Sequence, residues 1–237
     1  MARLDDPDAV AREYASERGL TARRSLYEDL DGPDVKDVLF EAVVARSPSR
    51  VLEVGPGTGE LAVRLLEAGL GDYQAIDLSP RMVDLVRGRG ITAEVGDIQA
   101  LPFGDGEFDC VIAAWMLYHV PDLDRGLAEL ARVLCAGGCL IAATNSERHL
   151  AELWALTGQE RWPLPFSAEN GVAALRRHFA AVEASPVEAW ITLADAGTAR
   201  RYIRASPSRA HLTGRVPELP APLRAGARTC IFVATKR

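Results

Sequence analysis

The sequence predicts an α/β fold: a mostly parallel sheet with helices on both faces, preceded by a helical segment. Three observations carry this reading. An apolar run, Val51-Leu52-Glu53-Val54, breaks into the alternating glycines Gly55, Gly57 and Gly59, as where a strand turns sharply into a helix and bare backbone is left for a ligand. Short strand patterns then alternate with helical ones as far as residue 145. Finally, Phe108 to Ala114 is almost continuously apolar, which suits the middle of a parallel sheet, buried on both faces.

The elements follow in order. Residues 7 to 46 have helical spacing, with Val10, Tyr14, Leu20, Leu26, Leu30, Val35, Leu39 and Val43 interrupted by Asp31-Gly32-Pro33, so two or more helices precede the first strand. Asp72 to Leu78 is a second strand, closed by Asp77. Ser79-Pro80 supplies an N-cap and a favourable first helical residue for a helix carrying Met82, Leu85 and Val86. Ile91 to Val95 is a third strand leading into Gly96-Asp97-Ile98, and Phe108 to Ala114 is the fourth. A helix over Leu123 to Leu134 is ended by Gly137-Gly138, and Cys139 to Thr144 is the fifth strand. Helices are expected at Glu147 to Thr157, Ala168 to Phe179 and near Thr198 to Arg204, with strands at Val182 to Leu193 and Thr229 to Thr235. A chain of 237 residues, 48% hydrophobic, is expected to form one domain. Its parts would be a helical cap over 1–47, a core over 48–145, and substrate-side helices and final strands over 146–237.

The net charge of −6 argues against a broad nucleic-acid surface, which needs clustered Lys and Arg. The start, Met1-Ala2-Arg3-Leu4-Asp5-Asp6, lacks the apolar core of a signal peptide. No run approaches the roughly 20 apolar residues of a membrane span. A cytoplasmic protein is therefore expected. Cys110, Cys135, Cys139 and Cys230 form no C-x-x-C pair and read as core residues or isolated thiols. No metal site is expected.

The acids at the strand ends carry the chemistry. Glu53 stands two residues before the first glycine, and the spacing Gly55-x-Gly57-x-Gly59 differs from the dinucleotide fingerprint. A carboxylate there would repel a pyrophosphate but suits a ligand with a positive amino group and a sulfonium, that is, S-adenosylmethionine. Asp77 follows about 20 residues later, where a ribose-binding acid belongs. Asp97 ends the third strand and can accept from an adenine amino group, with Ile98 and Met82 against the ring faces.

The segments VLEVGPGTGEL, AIDLSPRM, GDIQALPFGDGEFDCVIAAWMLYHV and RVLCAGGCLIAATNS together resemble the class I S-adenosylmethionine-dependent methyltransferases, within them the type 11 methyltransferase domain that acts mainly on small molecules. The resemblance implies a Rossmann-like, seven-stranded sheet with an N-terminal helical cap closing the substrate pocket. It implies that Glu53 orients the methionine end of the cofactor and that Gly55, Gly57 and Gly59 pass close to it. Asp77 would bind the ribose, with Leu78 or Met82 beside the adenine; Asp97 and Ile98 would meet the base, and the main chain near Ala114 the methionine moiety. Tyr14, Arg24 and Tyr27 would point inward from the cap.

Enzymes that methylate exocyclic amines or amides commonly place Asn or Asp, Pro-Pro and an aromatic after the fourth strand. This chain has Ala113-Ala114-Trp115-Met116-Leu117-Tyr118-His119-Val120-Pro121, which disfavours that chemistry and leaves small-molecule oxygen, nitrogen, carbon or sulfur nucleophiles open. His119 is the candidate general base, since its pKa lets it accept a proton near neutral pH; a loop-capping hydrogen bond is its alternative role. Trp115, Tyr118 and His149, with Tyr14 and Tyr27, are the candidate substrate contacts. The expected partner is a small-molecule methyl acceptor, to a monomer or homodimer, in secondary metabolism as one setting. The rival classes are a non-catalytic S-adenosylmethionine-binding protein, an RNA methyltransferase and an NAD-dependent oxidoreductase.

Overall fold

The structure, a computed structural model, describes residues 25–27, 29–158, 164–205 and 209–237. Tyr14 and Arg24, with most of the expected cap over 1–47, lie outside the described residues. Of that cap a single turn, Ser25–Tyr27, and helix α1 (Val35–Val44) are described.

The strands are β1 (Arg50–Val54), β2 (Asp72–Asp77), β3 (Thr92–Val95), β4 (Phe108–Ala114), β5 (Leu134–Asn145), β6 (Ala181–Leu193) and β7 (Leu223–Thr235). Between them lie α2 (Glu60–Glu67), α3 (Pro80–Arg87), α4 (Leu123–Val133), α5 (Ala151–Ala155), α6 (Gly171–Leu175) and α7 (Ala196–Arg204). Among the described residues these strands form one sheet in the order β3-β2-β1-β4-β5-β7-β6. β7 runs antiparallel to both of its neighbours, and every other pair is parallel. The strand order reverses between β1 and β4, so a ligand crevice is expected outside their carboxyl ends.

Strand alternation sends side chains to two cores. Leu52, Val54, Ile76, Val111, Ala113, Leu140 and Ala142 pack with Leu127, Leu130 and Val133 of α4 and with Phe166, Leu175 and Phe179. On the other face Val51, Tyr73, Ala75, Cys110, Ile112 and Ile141 pack under α1, α2 and α3 through Leu39, Val43, Ala62, Leu65, Val83 and Val86. A third cluster joins the far ends of β6 and β7 to α5 and α7, with Leu26, Tyr27 and Leu30 against it. No helix among the described residues is long and apolar enough to cross a membrane.

Local chemistry sets the helix starts that matter for the site. Gly59 caps α2 in the left-handed region at φ 74°, where a side chain is disfavoured. Ser79 caps α3, its hydroxyl accepting from the Met82 N–H, and Pro80 occupies the first helical position.

Several boundaries differ from the sequence expectation. The helix before β5 stops at Val133, and the strand begins at Leu134, because Leu134 pairs with Phe108 across the sheet. Gly137 and Gly138 therefore lie inside β5 instead of ending the helix; a Cβ on Gly138 would come within 3.0 Å of the Asp109 and Cys135 carbonyl oxygens. β7 begins at Leu223, six residues before the expected Thr229, since β6 continues to pair with it as far as Leu193↔Leu223. The helices expected at 147–157 and 168–179 are reduced to Ala151–Ala155 and Gly171–Leu175. Cys110 and Cys139 are free but neighbours in register rather than isolated.

Candidate active site

A cavity of about 820 Å³ opens at the carboxyl ends of β1, β2 and β4, within the size range of small-molecule and cofactor sites. Each strand end delivers one part of it. β1 contributes Glu53 and the loop Gly55-Pro56-Gly57, β2 contributes Asp77 and Leu78, and the turn after β3 contributes Asp97 and Ile98. Ala114 ends β4, and Trp115, Met116 and His119 follow it along the wall. At the mouth stand Lys36 of α1 and Glu60 and Arg64 of α2.

Glu53 is 3% exposed, and the Tyr73 hydroxyl donates to its Oε2 at 2.6 Å. Burial pushes its carboxyl up to about 7; the Tyr73 hydrogen bond opposes that rise and the nearby Asp77 charge adds to it. Asp77 is also raised by burial, against the pull of the Ser79 and Gly57 N–H groups that donate to it. Its Oδ1 accepts from the Ser79 N–H at 2.8 Å. The Asp97 carboxylate is engaged by its neighbour: the Gln99 N–H donates to Oδ1 at 2.8 Å, and the Gln99 side-chain amide reaches both oxygens at 3.1 and 3.0 Å. A ligand amino group would have to share it.

The glycines differ in what they do. Gly55, at φ 72°, passes under Met116, whereas a Cβ on Gly57, at φ 56°, would meet nothing within 4 Å. Gly57 thus offers open backbone at the cavity. Gly59 does not line the cavity; it packs towards Val86 and Ile91. Leu78 is 57% exposed and lines the cavity, a large apolar side chain open to whatever fills it. Met82 is 1% exposed and does not line it. The first turn of α3 carries Met82 into the interior, so Leu78 and Ile98 are the apolar groups a base would meet.

Trp115 sits at φ 54°, with its N–H bonded to the Ala143 carbonyl at 2.7 Å. Left-handed backbone is rare for a bulky residue and clusters where function constrains the chain. The turn Leu117–His119 brings His119 to the cavity wall, its ring edge-to-face with Tyr118 at 4.5 Å. Tyr118 itself packs against the core under α4 and does not line the cavity.

Tyr27 and His149 form a separate centre. The Tyr27 hydroxyl lies 2.8 Å from His149 Nε2, and His149 Nδ1 lies 2.9 Å from the Arg228 carbonyl oxygen. A carbonyl can only accept, so Nδ1 carries a proton; in the neutral tautomer this leaves Nε2 to accept from the Tyr27 hydroxyl. Neither residue lines the cavity; both sit at the carboxyl end of β5, one strand beyond Trp115. Sequence reasoning passed over Tyr73, Gln99, Lys36 and Met116; of these only Tyr73, a polar aromatic in a strand leading to an acid, carried a signal.

The residues present fit S-adenosylmethionine. Open backbone at Gly57, acids at three successive strand ends and an exposed Leu78 provide for a cationic amino-acid end, a ribose and a base. Fold and site together define the class I S-adenosylmethionine-dependent methyltransferase fold, with its seven-stranded, mostly parallel sheet and one antiparallel strand. Residues 52–142 match the family described as "Methyltransferase domain", type 11.

Among curated proteins the chain is 40% identical over 105 residues to a demethylmenaquinone methyltransferase of Deinococcus radiodurans, covering 41% of this chain and 44% of that protein. The chain thus spans about half the length of the curated relatives it matches. Among solved structures, a [4+2]-cyclase, SpnF, aligns over 100% of this chain and 97% of its own, at 21% identity and TM-score 0.64. A Thermotoga maritima S-adenosylmethionine-dependent methyltransferase, possibly a histamine N-methyltransferase, aligns over 96% of both chains at 22% identity and TM-score 0.59. These two likenesses are likenesses of fold.

Proposed function

We propose that the protein is an S-adenosylmethionine-dependent methyltransferase acting on a small-molecule oxygen, nitrogen or carbon nucleophile. The observation that carries this reading is the convergence of Glu53, Gly57, Asp77 and Asp97 on one cavity beside Trp115 and His119. Bound S-adenosylmethionine would supply a methyl group activated by a positive sulfur. This chain's own contribution is alignment, which can supply roughly 7–11 kcal/mol when the reacting atoms are well oriented.

Glu53 holds the cationic amino-acid end, Asp77 accepts from the ribose hydroxyls, and Leu78 and Ile98 flank the base, with Asp97 towards its amino group. Trp115 walls the acceptor side. Where the acceptor must lose a proton, a ring nitrogen of His119 receives it. The resemblance to demethylmenaquinone methyltransferases makes ring-bearing acceptors the first class to assay.

Transfer of labelled methyl from S-adenosylmethionine to a panel of phenolic, quinol, amine and carboxylic-acid metabolites tests the proposal. Turnover with any of them supports it. Binding of S-adenosylhomocysteine without transfer to any acceptor would favour a cofactor-binding protein that does not methylate, and binding that weakens steeply with salt in the presence of RNA would favour an RNA substrate.

A further inference from the structure

The phenol of Tyr73 is a buried polar group that the proposed reaction does not use. Tyr73 is 5% exposed, lies opposite Val51 in the β1–β2 register and is not part of the cavity wall. It reaches one pleat along, past the small Ala75 that stands opposite Glu53, to donate a 2.6 Å hydrogen bond to Glu53 Oε2. A hydroxyl that donates to a carboxylate oxygen favours the ionised form of that group.

We propose that Tyr73 is a positioning residue for cofactor binding: its hydroxyl fixes the Glu53 carboxyl group and favours the ionised form, which is the form that pairs with the cofactor's ammonium end. This rests on the cofactor reading above. Free Glu53 carries its proton over part of the neutral range, since its carboxyl is pushed up to about 7. An ammonium group brought beside it favours the charged form, and the O–H proton leaves as the ion pair forms. The other titratable groups on the elements around Glu53 are Asp77 on β2, Cys110 beside Tyr73 on β4, Lys36 on α1, Glu60 and Arg64 on α2, Asp97 after β3 and His119 after β4. Asp77 is the neighbour whose charge raises Glu53. Lys36 stands 3.9 Å from Glu60 and Arg64 2.8 Å from Asp37, so the cations at the mouth are engaged by surface acids.

The test is isothermal titration of the whole chain with S-adenosylhomocysteine between pH 6 and 8.5, in two buffers of different ionisation enthalpy to count protons. 5′-Methylthioadenosine, which lacks the amino-acid end, is the second probe. For the wild type, S-adenosylhomocysteine affinity falls towards tenfold per pH unit below about 7 with release of up to one proton, and 5′-methylthioadenosine shows neither effect. Tyr73→Phe binds within about threefold of wild type at pH 8.5, while the pH at which affinity begins to fall moves up by about one unit. Glu53→Gln flattens the profile. A flat wild-type profile without proton release, or a Tyr73→Phe profile superimposable on the wild type, overturns the proposal while leaving the cofactor reading intact. Absence of S-adenosylhomocysteine binding at every pH overturns both. Should Tyr73→Phe not fold, the wild-type proton count and the Glu53→Gln profile still decide the matter.

Discussion

The side chain of Met116, two residues beyond the end of β4, lies over Gly55 so closely that a Cβ at Gly55 would stand 3.0 Å from both its Cβ and its Cγ. The glycine loop after β1 is thereby pressed against the segment that carries Trp115 and His119, and the two halves of the site are built as one packed unit.

Gly55→Ala and Gly57→Ala should separate packing from backbone conformation. Both glycines have positive φ, which costs an L residue about 1–2 kcal/mol. Only Gly55→Ala adds a collision, so it should unfold at a clearly lower temperature than Gly57→Ala in thermal denaturation. Equal melting temperatures would show that Met116 yields.

Glu53→Gln should stabilise the ligand-free protein at alkaline pH. The folded-state pKa of about 7 lies above the ordinary 4.5. The ionised group therefore disfavours the fold, fully so above pH 7, and this cost fades as pH falls towards 4.5. The difference of about 2.5 units corresponds to roughly 3 kcal/mol for this fully buried group. Urea unfolding should find the variant more stable than the wild type at pH 8, by up to that order, with a smaller gap at pH 5. A constant gap would remove the linkage.

Asp77→Ala should weaken S-adenosylhomocysteine binding roughly 10- to 100-fold, as expected when a hydrogen-bonding carboxylate is removed from a ligand's hydroxyls. It also removes the Asp77 bond to the Ser79 N–H, so affinity should be compared with thermal stability. Unchanged affinity would withdraw the ribose assignment.

His119→Ala should lower kcat about 10²-fold or more for an acceptor that must be deprotonated, with S-adenosylhomocysteine affinity within twofold. His149→Ala removes one partner of Tyr27 and should act first on stability, through the cluster under α5 and α7. If instead His149→Ala lowers kcat and His119→Ala does not, proton transfer runs through the Tyr27–His149 pair.

The strand tips were legible because each combined an apolar run with a turn and an acid, a local pattern that does not depend on the rest of the fold. Hence Glu53, Gly57, Asp77 and Asp97 could be named, and all line one cavity. Met82 could not be placed by the same means: helical spacing says that it shares a face with Leu85 and Val86, not how α3 is rotated on the sheet. The Tyr73–Glu53 bond depends on the register between two strands, and the start of β5 on the pairing of Leu134 with Phe108. The Tyr27–His149 contact joins residues 122 positions apart. Such links exist only after the sheet is assembled, and no single segment announces them.

Titration of the wild-type protein with S-adenosylhomocysteine at pH 8, alongside NAD at the same concentrations, tests the central claim most directly. Saturable one-to-one binding of S-adenosylhomocysteine with no heat from NAD is the result expected. Tight binding of NAD with none of S-adenosylhomocysteine would contradict the account.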